Sequence, residues 1–335
     1  MSRVSIIALF SAIVLAACGE KLPLPTDVRD DDGGRLLDTT YAVVLPNWTG
    51  AGGIPFARPY GVSIGYDRSI YVCDTDHDRI VRLNVNGELL ESFDTPHPIA
   101  VAQDRSFNLA AVGDSPEIWL RRFKEHGAFT TITHLDSNYI CTDQPDGSVW
   151  CRWIVPRFEA IAASPLPTSQ FLAVASGKVW GIYSDAPVLQ IAIDTGVESG
   201  QVYNPTSVAM GIVSSEVRYI VAQYPSHLGV QYIGGRPRGP LLKDPATDVL
   251  NMTLDDTKYV ALDEHGNVFV LHHEASFVMV FDKNGRYKLR FGSYGNGDEQ
   301  MQYPRAIAVL DETVYIADPW NNRVLRFQST TMPQN

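Results

Sequence analysis

Apolar and polar residues alternate in short runs along most of this chain, and the runs come in pairs folded about a polar turn. Ile70 to Leu83 aligns without gaps on Val314 to Phe327. Val268 to Phe281 and Tyr219 to Tyr232 fall in the same frame, and weaker copies run from Leu109 to Phe123 and from Phe171 to Tyr183. A period of two on either side of a turn predicts a β-hairpin. Counted from one position of each hairpin (Tyr71, Leu109, Leu172, Ile220, Phe269, Tyr315), the intervals are 38, 63, 48, 49 and 46 residues. Four of these lie near the roughly 40 to 50 residues of a four-stranded propeller blade.

A further short strand precedes each hairpin: Gly61–Ile64, Ile99–Ala102, Ala160–Ala163, Ser207–Met210, Tyr259–Leu262 and Ala306–Val309. Outer strands such as Tyr287–Phe291 follow most of them, but only a short polar tail follows the last. The missing strand stands at the other end. Arg286 to Pro304 aligns without gaps on Tyr41 to Pro59, Gly295 falling on Gly50 and Pro304 on Pro59. Tyr41–Leu45 is therefore expected to pair beside Val324–Phe327 as the outer strand of the sixth blade. Joining both ends of the chain in one blade leaves no ring edge to unzip. The expected fold is all-β, a six-bladed β-propeller over residues 41–330. The one long interval contains a hairpin near residues 138–155, expected as an insertion between blades two and three.

The pattern P-x-x-I/V-x-V…Y-V/I-x-D-x-x-x-x-R-I/V-x-x-F resembles the NHL repeat. It is strong in blades one and six, partial in blade five, and reduced to its hydrophobic frame in blades two to four. The resemblance speaks for architecture more than for function, because this fold hosts many activities.

Before the repeats lies a segment of another kind. Arg3 supplies a positive charge, Ile6 to Leu15 is apolar, and Leu15-Ala16-Ala17-Cys18 ends the run. Small residues before the cleavage point suit a signal peptidase, and the combination resembles a lipobox. Residues 1–17 are then a lipoprotein signal peptide and Cys18 the lipidated N-terminus. More than one acyl chain would anchor it stably. Residues 18–40 follow as a polar, Pro- and Asp-containing tether. Gly19 after the cysteine implies the outer membrane, facing the periplasm, since inner-membrane retention commonly uses Asp there.

Composition agrees. The 335 residues are 45% hydrophobic and 19% charged, which suits a globular chain with a large core. The net charge of −11 disfavours nucleic acid and binding to anionic headgroups through a basic patch. Cys141 and Cys151 flank the turn signal Gln144-Pro145-Asp146-Gly147 and would face each other across a hairpin. An oxidising envelope compartment permits a disulfide there. Zinc is the rival, but no His stands near the pair at ligand spacing. Cys73 sits in an apolar strand pattern as a small buried residue.

Candidate chemistry is sparse. Asp74 with Arg79 and Asp318 with Arg323 read as braces across their own turns. His272-His273-Glu274 is the one compact set of metal-ligand types, but neighbours in a strand point to opposite faces. His272 alone could be one ligand of a channel metal, as NHL-like lyases and lactonases hold. No nucleophile-elbow, zinc-helix or phosphate-loop motif is present. His97, Asp104 and Asp311 read as turn residues. In a four-stranded meander the b–c turns and d-to-a crossovers share one face. That face is expected to show His77, Tyr224, His273 and Trp320, with the loops at Trp48 and Tyr294, and exposed aromatics there favour binding. Two classes stay open. One is an envelope binding or scaffold module for a protein or glycan, with no cofactor. The other is a metal-dependent lyase or lactonase. Carboxylates or imidazoles converging on the channel would favour the enzyme, and small apolar residues the module.

Overall fold

The computed structural model describes residues 39–331 except 126, 144–148, 168–169, 185–188, 194, 197–200, 225–228, 234–238 and 241–256. The leader, Cys18, most of the tether and the Gln144–Gly147 turn lie outside the described residues.

Six four-stranded antiparallel sheets follow one another along the chain. Blade 1 holds Pro59–Ile64, Ile70–Asp74, Arg79–Leu83 and Leu89–Asp94, and blade 2 holds Pro98–Gln103, Leu109–Gly113, Glu117–Arg121 and Thr130–His134. Blade 3 holds Phe158–Ala163, Gln170–Ala175, Lys178–Tyr183 and Gln190–Ile191, and blade 4 Pro205–Val213, Glu216–Gln223, Val230–Ile233 and Gly239–Pro240. Blade 5 holds Thr257–Leu262, Val268–His272, Phe277–Phe281 and Tyr287–Phe291. Blade 6 takes three strands from the C-terminal end, Ala306–Leu310, Thr313–Asp318 and Arg323–Thr331, and its fourth, Thr39–Val43, from the other end. Neighbouring inner strands touch all round, the last against the first, so the six-bladed ring is closed.

The packing explains why the middle strands are so apolar. One cluster of buried side chains lies between each adjacent pair of blades. Both faces of a blade are thus covered, and a strand such as Ile70–Asp74 is buried along its whole length. Aspartates close the turns: Asp104 Oδ1 accepts from the Ser106 and Asn108 amides, and Asp263 and Asp282 repeat the arrangement.

The closing strand differs in register from the expected one. Val43 stands opposite Phe327, and the ladder runs on to Thr39 opposite Thr331. The polar tail is itself strand, since Ser and Thr on a half-buried edge accept β geometry readily. Tyr41 is thereby set against Phe291, stacked at 4.6 Å, and edge-on to Phe269 at 5.9 Å. Alongside Val324–Arg326 run instead Val44, whose amide donates to the Arg326 carbonyl at 2.8 Å, and Trp48, which exchanges two hydrogen bonds with Val324. Trp48 is correspondingly buried at 7% exposure, packed on Tyr315, with the left-handed Gly87 turn against its indole. Its loop therefore does not carry the exposed ring expected there.

Asn138–Asp143 and Val149–Ile154 form a separate two-stranded hairpin between blades 2 and 3, with Cys141 opposite Cys151 in its register.

Candidate functional site

The six inner strands surround a central channel with a cavity of about 350 Å³. Its walls are mostly small or apolar, as at Val62, Ala100, Ala160, Ala209 and Ala306. Each inner strand is the edge of its sheet, so backbone amides and carbonyls left unpaired on that edge also face the channel.

Chemistry gathers at one mouth, and a repeated backbone irregularity places it there. In blades 1 to 5 the register between inner and second strand slips once, at the second residue of the inner strand. A bulge leaves that residue unpaired and turns its side chain. The residues concerned are Tyr60, Ile99, Glu159, Thr206 and Lys258. In blade 6 the corresponding place belongs to Arg305, whose amide donates to the Ala317 carbonyl at 3.0 Å.

These residues are mutually arranged. The Arg305 guanidinium lies over the Tyr60 ring at 5.0 Å and donates a hydrogen bond to the Tyr259 hydroxyl. Thr206 Oγ1 donates to the Lys258 carbonyl at 2.8 Å, and the Lys258 ammonium lies over Tyr224 at 4.8 Å. Glu159 stands across the ring on blade 3. The surrounding protein raises its carboxyl pKa, and the charges of Lys258 and then Arg305 pull it back. Burial likewise raises Tyr259, against the pull of Arg305.

The loops around this mouth are strained. Arg58, His97, Asn204 and Tyr303 have φ of 50, 36, 49 and 46°, and each stands directly before the Pro that opens or borders an inner strand. A non-glycine residue in this region costs on the order of 1–3 kcal/mol and persists only where the surroundings hold it. Asn322 Oδ1 accepts from the Arg58 amide and Asp78 Oδ1 from the His97 amide, so neighbouring turns do the holding.

The expected residues distribute unevenly. Trp320 is 60% exposed on its turn. Tyr294 and Tyr303 are 51% and 39% exposed, Tyr303 lying 5.6 Å from Tyr294 and 6.4 Å from Trp320. These three rings form a shelf beside the mouth. Tyr224 is half-buried under Lys258. His77 is exposed but turns Nδ1 to Asp74 Oδ2 at 3.0 Å. His273, expected on the surface, is instead buried between Tyr259 and Tyr303, its Nδ1 bonded to the Pro304 carbonyl at 3.0 Å. Burial lowers its pKa. The cause is the next crossover, which folds over the blade 5 turn and covers it. His272 is buried too, stacked on Phe277 at 4.9 Å, and its Nδ1 accepts the Ala275 amide at 3.0 Å. The two imidazoles thus have separate surroundings, and neither is on the channel wall.

Asp74 and Asp318 act as expected of braces. Asp74 Oδ2 takes Arg79 Nε at 2.8 Å while Oδ1 accepts the Ala57 amide from the preceding crossover. Asp318 does the same with Arg323 Nε and the Gln302 amide.

The mouth residues Glu159, Lys258, Tyr259 and Arg305 were not singled out from the sequence. Their signal is positional: a charged or aromatic residue at or just before the start of an inner strand whose other residues are small. A channel metal, which the enzymatic alternative requires, would need donors converging on the channel. Among the described residues no three His, Cys, Asp or Glu side chains come together, and Glu159 has cations for neighbours. This set does not fit a metal ion.

No protein-family model and no curated protein matches the sequence. Solved structures do match in fold. The β-propeller domain of Cps50 (Swd1) from Myceliophteria thermophila is 8% identical with a TM-score of 0.53, covering 83% of this chain and 98% of its own. A gluconolactonase, XC5397 from Xanthomonas campestris, is 12% identical with a TM-score of 0.51, covering 82% and 87%. A streptogramin B lyase is 11% identical with a TM-score of 0.48, covering 87% and 98%. At such identities the likeness concerns the fold alone.

Proposed function

We propose that this chain is a lipid-anchored propeller of the NHL type in a bacterial cell envelope, and that it presents the channel-mouth face to a protein or glycan partner. The observation that carries the reading is the shelf of Tyr294, Tyr303 and Trp320 beside a channel walled mostly by small or apolar residues. Exposed aromatics on a rigid frame contribute large contact area at low entropic cost. The anchor is an acylated Cys18, the tether spans the following residues to about 40, and the membrane is the outer one, with the propeller facing the periplasm. A disulfide between Cys141 and Cys151 accords with that oxidising compartment.

The enzymatic alternative, a metal-dependent lyase or lactonase, has behind it the fold likeness to a gluconolactonase. The mouth argues against it, because the carboxylate on the channel wall, Glu159, has the cations Lys258 and Arg305 for neighbours, and these would repel a metal ion.

Two measurements on membrane-extracted protein test the reading. Intact mass should show acyl chains on a chain starting at Cys18, and Cys18→Ser should abolish them. Retention of the purified protein on washed envelope fractions should fall about tenfold or more in a Trp320→Ala, Tyr303→Ala double variant that still melts normally. A mature chain starting elsewhere without acyl mass refutes the anchor, and unchanged retention refutes the binding face.

A further inference from the structure

The binding reading leaves the ligand's chemistry open, and the mouth narrows it. Lys258 and Arg305 come from adjacent blades and form no ion pair among the described residues, Glu159 acting on them at longer range. Among the described residues the buried Nε of Arg305 has in addition no hydrogen-bond partner, as is true of the Nε of Arg218 and Arg326 away from the mouth. A buried guanidinium nitrogen without an acceptor is costly, and a planar guanidinium is best satisfied by a carboxylate. The neighbouring Arg58, by contrast, has Asp76 at 3.5 Å. Lys258 and Arg305 share the mouth with Glu159 and, beside His273, the exposed Glu274, on a chain of net charge −11; that balance leaves a place for one anionic group at Arg305 and none for a polyphosphate.

What surrounds the cations is equally selective. Beneath them, strand edges offer backbone donors and acceptors in a cavity of about 350 Å³, a volume that suits one hydroxylated ring. Glu159, on the far side of the ring of blades, can accept from hydroxyls but would repel a second carboxylate. Beside the mouth, Tyr259, His273 and Tyr303 form a continuous run of rings at 6.3 and 5.6 Å, leading out to Tyr294 and Trp320. The shelf is held in place: Asn321 Nδ2 donates to the Gly295 carbonyl at 3.1 Å, and Arg323 Nη2 donates to the Gly297 and Gln300 carbonyls, both at 2.8 Å. Flat exposed rings pack against the C–H face of a sugar.

We propose that the mouth is a carboxylate subsite for an acidic saccharide, Arg305 and Lys258 holding the carboxylate of one residue while the next packs on the shelf of Tyr303, Tyr294 and Trp320. The proposal rests on the reading above of the channel-mouth face as a binding face and assigns the glycan, rather than a protein, as its occupant.

The test uses the full mature chain in detergent, with calorimetry and the part of the tryptophan fluorescence change that is lost in Trp320→Phe as readouts. The probes are trisaccharides of galacturonate and of mannuronate, with cellotriose as a neutral control. At least one acidic trisaccharide should bind ten or more times tighter than cellotriose and weaken as salt is raised. Arg305→Gln should weaken it at least tenfold and Arg305→Lys less. Equal binding of acidic and neutral sugars, no binding of either acidic sugar, or an unaltered affinity in a folded Arg305→Gln protein would overturn the proposal. Envelope retention that needs Trp320 but ignores Arg305→Gln would overturn it while leaving the binding face standing. Retention that ignores both would remove the face as well.

Discussion

Asp74 has no exposed side-chain surface, and it serves two elements at once, its own b–c turn through Arg79 and the preceding crossover through the Ala57 amide. Removing it would strand a buried guanidinium and a backbone donor together. Asp74→Ala should therefore cost about 3–5 kcal/mol, the range for breaking a buried pair from one side, measurable as a shift of the denaturant midpoint with unchanged slope. His273 supports a pH prediction. Burial lowers its folded pKa below the unfolded value of about 6.5. The neutral form is the one the fold favours, so its contribution is full above the unfolded pKa and is lost as pH falls through the folded one. Burial raises the pKa values of Glu159 and Asp318, so their linkage works in the opposite sense, stability being lost as pH rises. The comparison to make is thus between variants. The melting temperature of His273→Asn should drop less than that of the parent between pH 7 and pH 5. Parallel curves would show that His273 does not titrate there.

At the scale of the element, the repeated bulge is what makes the mouth. Without the slip at Glu159 or Lys258, strict alternation would set those side chains in the plane of the neighbouring residues' packing rather than turned away from it. The hairpin Asn138–Ile154 is the longest of the two-stranded sheets that lie outside the blades. The Cys141–Cys151 pair is expected to be oxidised, and its stabilisation should be local. The loop it closes is short, so the entropic contribution is at most about 3 kcal/mol. Non-reducing peptide mapping should find the two in one cross-linked peptide pair. A Cys141→Ser, Cys151→Ser double variant should leave the main unfolding transition nearly in place. Two free thiols in envelope-purified protein would contradict the first expectation, and a large drop in the main transition the second.

For the whole molecule, closure is the decisive feature. Thr39–Val43 completes blade 6, and Tyr41 and Val43 join the cluster between blades 5 and 6. A three-stranded last blade would bare a long edge and part of that cluster. Deleting residues 19–38 should thus leave the melting temperature nearly unchanged. Deleting 19–46 should destabilise the protein by several kcal/mol, given the burial of Tyr41 and Val43 and the lost ladder. Equal melting of the two truncations would mean that the first strand adds nothing to the ring.

Blade number, hairpin frame and the pairing of the two chain ends were all legible in the sequence. They depend on local alternation and on repeats that can be laid on one another, and a two-residue period buried on both faces leaves few other ways to fold. The braces Asp74–Arg79 and Asp318–Arg323 were legible too, because both partners lie in one turn. The site was not. Tyr60, Glu159, Lys258 and Arg305 are far apart in the chain, come from four blades, and meet only because a one-residue slip in three of those blades and a crossover in the fourth aim them at one mouth. The fates of Trp48 and His273 were also decided in three dimensions. Each occupies a position that topology brings to the binding face, and each is buried because a loop distant in sequence folds across it. Burial, charge environment and the company a side chain keeps are sums over the whole ring, whereas secondary structure is a sum over neighbours.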